Sequence, residues 1–274
     1  MKRPRLRLFG CAVAALALVA TVAPAQRQSQ ENSRAAGGNA AAKTRFPPPD
    51  RPVLFQPMLV WDGAEPTTQG TGFFAKAPGG KVAAVSSAHF INFDGPPLRE
   101  ARWLDLKTGK PVATFDKSWG KPGSPGTMKP QIDLRPDHWV MPAAGDAAAR
   151  AALELDDRPQ PKVGERVWFP DKDQDSPLGF SVIEGTVVEA DPKYSAIRLS
   201  HNIQLQSQSG SPVISQETGK VIGALSRGGE HEGRSIIVLA PAASLVKVLS
   251  DSKHQPPLRD AIGKPGASGD APKE

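Results

Sequence analysis

Short apolar runs of strand length, separated by glycine, proline and aspartate, fill the middle of the chain. They include PVLFQPMLVW, GTGFFAK, KVAAVSSAHFI, RVWFP, FSVIEGTVVEA, SPVIS, GKVIGALS and RSIIVLA. Runs of this length and spacing are typical of the strands of an all-β barrel or sandwich. The segment DLKTGKPV between two of the runs has the composition of a hairpin turn. The sequence therefore predicts an all-β domain over residues 51–252.

Two stretches interrupt this pattern with helical spacing. DAAARAALEL, residues 146–155, lies mid-chain, where it could join two halves of the domain. APAASLVKVLSD predicts a helix at the end, over about 240–251. The domain then divides into a first barrel at about 51–145 and a second barrel at about 160–240.

Both ends of the chain are polar and rich in small residues and proline. Residues 26–50 predict a disordered leader, and residues 253–274 predict a disordered tail. The first residues differ, because the basic MKRPRLR is followed by the apolar LFGCAVAALALVATV. With the small-x-small site at Ala23-Pro24-Ala25, this pattern is typical of a secretory signal peptide over residues 1–25.

The signal peptide predicts an exported protein, periplasmic or secreted, that keeps no stable membrane span after cleavage. The apolar run is short for a transmembrane helix, and an uncleaved anchor is the alternative. A lipoprotein signal is the weaker interpretation, because the apolar region follows Cys11 instead of preceding it.

Removal of the signal peptide changes two features of the composition. The formal net charge of +6 includes Lys2, Arg3, Arg5 and Arg7, so little positive charge remains and no nucleic-acid partner is implied. Cys11 is the single cysteine, so the mature chain has no disulfide, no thiolate nucleophile and no cysteine-ligated metal.

Nucleophilic catalysis by a serine requires a base, a group that orients the base, and N–H donors for the oxyanion. Among the five histidines, His89 closes the apolar run VAAVSSAHF, and the end of a strand lies at the rim of a barrel where a cleft can form. A structural histidine is the alternative. In QSQSGSPVIS, Ser209 lies in a turn directly before an apolar run.

These segments together resemble the trypsin-like serine peptidases. Gly70-Thr71-Gly72-Phe73 followed by Ser87-Ala88-His89 is similar to the family's histidine region, and Ser207-Gln208-Ser209-Gly210-Ser211-Pro212 is similar to its nucleophile motif. The resemblance extends in patches over about residues 53–250. It implies two packed antiparallel β-barrels of chymotrypsin type with a C-terminal helix, as in compact bacterial members without disulfides.

The resemblance implies a serine endopeptidase that acts on polypeptide substrates, with no cofactor and no metal. His89 is then the base and Ser209 the nucleophile. Asp137, directly before the apolar HWVMP, is preferred as the third catalytic residue over Asp133, whose following segment contains Pro136. The backbone at Ser207, Gln208 and Ser209 would form the oxyanion hole. The substrate cleft would be lined by Gln204, Gln206, Ser226, Arg227 and Gly228.

The chain departs from the family pattern at two positions that bear on activity. Ser207 stands where the family usually has glycine, at a position that favours a glycine-like backbone, and this departure favours low activity. Ile203 falls at the expected pocket base, so a preference for lysine or arginine is not supported. The rival functions are a catalytically silent relative that binds peptides or a partner, and an all-β envelope binding protein.

Overall fold

The apolar runs form strands whose alternate side chains face a shared core. A computed structural model describes residues 45–120, 122–123, 133–251 and 254–263, which all lie in the unit that begins at Thr44. In the strand Arg166–Lys172, for example, Val167 and Phe169 are fully buried, whereas Trp168 between them is half-buried. This alternation is what a barrel wall with one buried face requires.

The first half of the domain is an open eight-stranded sheet. Six strands form a path in the order β6-β5-β1-β3-β4-β7, while β2 pairs with β1 and β8 runs parallel to β3. The strands are β1 (Phe55–Trp61), β2 (Thr67–Thr68), β3 (Gly72–Lys76), β4 (Val82–Ser86), β5 (Leu98–Asp105), β6 (Pro111–Phe115), β7 (Trp139–Pro142) and β8 (Leu153–Glu154).

The second half is a closed six-stranded barrel in the order β10-β11-β14-β13-β12-β9. Its strands, which pair antiparallel throughout, are β9 (Arg166–Lys172), β10 (Phe180–Asp191), β11 (Tyr194–Leu199), β12 (Pro212–Ser215), β13 (Val221–His231) and β14 (Arg234–Pro241). The predicted fold class, all-β with two β-barrels, is confirmed: the second half is a closed six-stranded barrel and the first half is a half-barrel.

Three apolar clusters form the core. One lies within the first sheet around Trp103 and Trp139, and one lies within the second barrel around Phe169 and Ile197. The third joins the two halves, because it contains Phe73 and Val85 from the first half and Ile214 and Val221 from the second. The two halves therefore share an apolar interface.

Three helices complete the described residues: α1 (Asp146–Ala151), α2 (Ala242–Asp251) and α3 (Leu258–Ala261). The predicted C-terminal helix is α2, which packs Leu245 and Leu249 into the joint cluster. The mid-chain helix ends before the predicted residue 155, because Leu153 and Glu154 pair with β3 instead. The predicted hairpin at DLKTGKPV joins β5 to β6, where Gly109 has a φ of 66°.

The prediction of a disordered tail from residue 253 is wrong for residues 254–263. Leu258 and Ile262 are fully buried against the first sheet, and the backbone of this segment bonds to that of residues 98 and 116–120. At the other end, Phe46 within the predicted leader bonds to Gln216 through its N–H (2.9 Å). Residues 1–44 and 264–274, which hold the predicted signal peptide and the ends of both predicted disordered segments, lie outside the described residues. Within the described part of the chain, every helix is too short or too polar to cross a membrane.

Candidate active site in the cleft

His89 lies just after the end of β4, at the edge of the first sheet that faces the second barrel. The preceding Ser87 is buried and donates from Oγ to the carbonyl of Leu225 in the second barrel (2.9 Å). The backbone N–H groups of Ala88 and His89 both donate to Asp137 Oδ1, at 3.0 and 2.9 Å. These bonds fix the direction in which the imidazole leaves the backbone.

Asp137 orients the imidazole through its other oxygen. His89 Nδ1 lies 2.8 Å from Asp137 Oδ2, and the carboxylate is 1% exposed. Ser226 Oγ also donates to Oδ2. Burial acts to raise the pKa of Asp137, but the hydrogen bond and electrostatic interaction with His89, together with the hydrogen bond from Ser226, hold the pKa below its usual value. Asp137 is therefore a carboxylate at neutral pH.

Asp133, the alternative to Asp137, lies away from the imidazole. Its Oδ2 accepts from the guanidinium of Arg135 at 2.6 Å, on the surface of the protein. This hydrogen bond is the main reason that the pKa of Asp133 is lowered. The structure thus distinguishes two aspartates that lie four positions apart in the sequence.

Ser209 lies on the loop before β12, with its Oγ 2.9 Å from His89 Nε2. The loop is held by Thr71 of the first half, whose N–H donates to the Ser209 carbonyl at 2.7 Å. Thr71 Oγ1 lies 2.8 Å from Ser211 Oγ and 3.0 Å from the Gln208 carbonyl. Asp137, His89 and Ser209 consequently form one hydrogen-bonded row across the cleft.

Two glycines allow this close approach between the halves. Gly210 has a φ of 93°, and a Cβ atom there would lie 2.1 Å from the Thr71 carbonyl oxygen. Gly70 has a φ of 57°, and a Cβ atom there would lie 2.7 Å from the Ser209 carbonyl oxygen. A side chain at either position would push the loop carrying Ser209 away from the first half.

Ser207 has the backbone conformation that its position in the motif suggests. Its φ is 63°, in the left-handed region that favours glycine. Among the described residues, no hydrogen bond engages the N–H of Ser207 or of Ser209. The N–H of Gln208 differs, because it donates to the Leu205 carbonyl at 3.2 Å. The Gln208 N–H is therefore already engaged, whereas the N–H groups of Ser207 and Ser209 have no partner among the described residues.

The Gln208 side chain is buried beneath the loop. Its Nε2 donates to Asp171 Oδ1, and its Oε1 lies 3.4 Å from Ser211 Oγ. Asp171 opens the acidic segment DKDQDSP; partial burial, with Asp173 nearby, raises the pKa of Asp171 to about 6. The sequence alone did not connect this segment with the nucleophile motif.

The residues expected to line the cleft divide into two groups. Gln204 and Gln206 are exposed on the loop before Ser209, and Arg227 and Gly228 follow Ser226 along β13. Ser226 is buried, and its Oγ donates to Asp137 Oδ2, so its side chain is directed at the carboxylate. The pairing of β13 with β14 shifts register between Leu225 and Arg227, and a bulge of this kind redirects a side chain. No local sequence pattern indicates this contact, because it depends on the bulge.

A cavity of about 220 Å³ opens beside Ser209 and His89. It is lined by the loop Thr68–Gly70, His89, Phe90, Ser207 and Ser209. The described residues thus combine a hydroxyl, an imidazole and a carboxylate in hydrogen-bonding order, two unengaged backbone N–H groups, and a space next to them. This combination can transfer an acyl group.

The same architecture occurs in solved structures. A thermostable serine protease, AL20, from an extremophilic microorganism aligns with a TM-score of 0.51 over 76% of this chain and 100% of its own, at 11% sequence identity. Human heparin binding protein aligns with a TM-score of 0.50 over 75% of this chain and 93% of its own, at 17% identity. The chain has the fold of the trypsin-like serine peptidases. This fold is the one that the motifs around His89 and Ser209 suggested, although no protein-family model and no curated protein sequence matches the chain.

Proposed function

We propose that the protein is a serine endopeptidase that hydrolyses peptide bonds through an acyl-enzyme. The proposal rests on one observation above all, the row of hydrogen bonds from Asp137 through His89 to Ser209 (2.8 and 2.9 Å). With Nδ1–H donated to the carboxylate, His89 Nε2 has its lone pair directed at the Ser209 hydroxyl. That is the tautomer a general base requires.

In the proposed reaction, Ser209 Oγ attacks the peptide carbonyl while His89 Nε2 takes the hydroxyl proton. The N–H groups of Ser207 and Ser209 stabilise the resulting oxyanion. His89 then gives the proton to the departing amine as the C–N bond breaks, which leaves an ester on Ser209. A water molecule hydrolyses the ester by the same route, and Asp137 stabilises the imidazolium at each stage.

We also propose that the protein is exported. The support is the N-terminal sequence alone, where a basic segment, an apolar run and the Ala23-Pro24-Ala25 site follow one another. Cleavage after Ala25 would leave a mature chain without cysteine. N-terminal sequencing of the protein recovered from the envelope or the medium of a producing cell tests this part of the proposal.

The catalytic proposal is tested by labelling the purified protein with a fluorophosphonate, which reacts with an activated serine. We expect labelling of the native protein and of Ser250→Ala, an exposed serine on α2, but none of Ser209→Ala. Asp137→Asn should slow labelling by about 10⁴-fold because the amide holds the imidazole in the tautomer that cannot take the Ser209 proton, whereas Asp133→Asn should label at the native rate. A folded native protein that is never labelled would overturn the enzymatic proposal and leave the fold unaffected.

A further inference from the structure

The proposed reaction divides the cleft into two sides with different surroundings. His89 must reach both Ser209 and the departing amine, so the leaving-group side lies next to the imidazole. The cavity of about 220 Å³, lined in part by His89 and Phe90, is on that side. The acyl side must then lie toward β13, beyond the bulge at Ser226.

The acyl side offers a strand edge for an extended peptide. β12 pairs with β13 only as far as Ala224, whereas β14 pairs with the opposite edge of β13 up to His231. From Arg227 onward, the described strands therefore flank β13 on one edge only, and Gly228 and Gly229 are exposed there. An extended substrate can add to this edge as a further strand.

A substrate side chain next to the reacting carbonyl would enter the space between β13 and the loop before Ser209. Leu205 already occupies that space. A Cβ atom on Gly228 would lie 2.6 Å from Leu205 Cδ1 and 3.4 Å from Leu205 Cδ2. A side chain at position 228 would therefore require Leu205 to move, and a large apolar group entering between Gly228 and the loop before Ser209 would meet the same leucine methyl groups.

Leu205 is held in this position from below. It packs against the apolar core of the second barrel together with Ile203, and the Ile203 N–H donates to Ser235 Oγ on β14 at 3.1 Å. The Leu205 carbonyl accepts from the Gln208 N–H, which ties the leucine to the turn that presents Ser209. Displacement of Leu205 would therefore disturb the turn as well as uncover apolar surface.

We propose that Leu205 determines specificity by restricting the substrate residue on the acyl side of the cleaved bond to glycine or alanine. Recognition of a larger side chain then shifts to the leaving-group side, where the cavity beside Phe90 has room for one. This inference rests on the proposed peptidase function, and it concerns which peptides the same site accepts.

The test uses quenched fluorescent peptides that differ only in the acyl-side residue, which is glycine, alanine, leucine, phenylalanine or lysine. We expect kcat/KM of the native protein to be at least about tenfold higher for alanine than for leucine, phenylalanine or lysine, since a misfit in an apolar site is worth about 10- to 200-fold per methylene. In Leu205→Ala and Leu205→Gly, kcat/KM for the leucine and phenylalanine peptides relative to that for the alanine peptide in the same variant should rise at least about tenfold.

Val163→Ala is the matched control, because Val163 is an apolar residue that is 66% exposed and lies in the turn before β9. Its substrate ranking should equal that of the native protein. Preferred cleavage after leucine, phenylalanine or lysine by the native protein would overturn the role of Leu205, as would an unchanged ranking in both Leu205 variants.

Affinity measurements separate failure of this inference from failure of the proposed function. In the Ser209→Ala background, peptides remain uncut, and we expect the alanine peptide to bind at least about tenfold more tightly than the phenylalanine peptide. Adding Leu205→Ala should close that gap. This result would support the role of Leu205 even in a protein that no fluorophosphonate labels, whereas equal affinities in the Ser209→Ala protein would overturn it.

Discussion

Neighbouring residues Asp137 and His138 show how burial acts on single side chains in this protein. The Asp137 carboxylate is buried with hydrogen-bond donors on both oxygens, so it keeps its charge. His138 points the other way, with Nε2 at 2.7 Å from Ser244 Oγ and 3.2 Å from the Pro241 carbonyl. Its Nδ1 has no hydrogen-bond partner among the described residues. Burial lowers the pKa of His138 to about 4, despite the nearby charge of Asp137.

His138 predicts a loss of stability in mild acid. Between pH 6.5 and about 4 the unfolded chain binds a proton at this position and the folded protein does not, so the free energy of unfolding falls as the pH falls. We expect this fall to be about 3 kcal/mol smaller in His138→Gln, which keeps a donor toward Pro241. Urea denaturation at pH 7, 5.5 and 4 measures the free energy of unfolding of both proteins. An equal dependence of this free energy on pH in the two proteins would contradict the prediction.

At the scale of elements, the turn that carries Ser209 depends on a glycine with no room for a side chain. In Gly210→Ala, the new side chain would have to adopt a φ of 93°, and its Cβ atom would lie 2.1 Å from the Thr71 carbonyl oxygen. Gly63 has a φ of 70° with nothing within 4 Å of an added Cβ atom, so Gly63→Ala isolates the conformational effect.

We expect Gly63→Ala to lower the free energy of unfolding by about 1 kcal/mol. Gly210→Ala should lower it by about 3 kcal/mol or more, because the turn must also move away from Thr71. Chemical denaturation of the two variants measures the difference, and fluorophosphonate labelling shows whether Ser209 still reaches His89. Equal losses in the two variants would mean that the turn relaxes without strain.

The strands were predictable because each is a local apolar pattern, and the residues of the candidate site were predictable because His89, Asp137 and Ser209 each adjoin such a strand. Contacts that depend on pairing between distant strands were not predictable from local patterns. The bond from Ser226 to Asp137 requires a bulge in β13, and Leu205 meets Gly228 only after the second barrel closes. The helix predicted over 146–155 ended early because Leu153 has a partner in β3, which no local signal reveals.

At the scale of the whole molecule, the last described segment of the chain completes the first sheet. Leu258 and Ile262 fill that sheet's core, and the N–H of Leu98 donates to the Ile262 carbonyl at 3.2 Å. The sequence KHQPPLRDAIG holds too few apolar residues to show a period, so its composition indicated a tail. Burial of these two side chains and backbone hydrogen bonds to residues 98 and 116–120 nevertheless hold it against the sheet.

Leu258→Ala tests this closure of the first sheet. We expect the free energy of unfolding to fall by about 2–5 kcal/mol, since a fully buried leucine leaves a cavity when it is truncated. Arg259→Ala, on the exposed side of α3, removes only a surface ion pair with Asp62 and should change it by less than about 1 kcal/mol. Thermal and urea unfolding measure both, and a loss no larger than that of the control would show that the segment is dispensable.

The position of residues 254–263 on the first sheet has a consequence for biosynthesis. Domains generally fold in order from the N-terminus as the chain emerges from the ribosome, but this first sheet lacks a part of its core until Ile262 has been translated. Asp137 likewise waits for Ser226 before its hydrogen bonds are complete. A nascent chain that has not reached Ile262 therefore carries His89 on an incomplete sheet, and the hydrogen bonds of Asp137 are complete only after Ser226 has been translated.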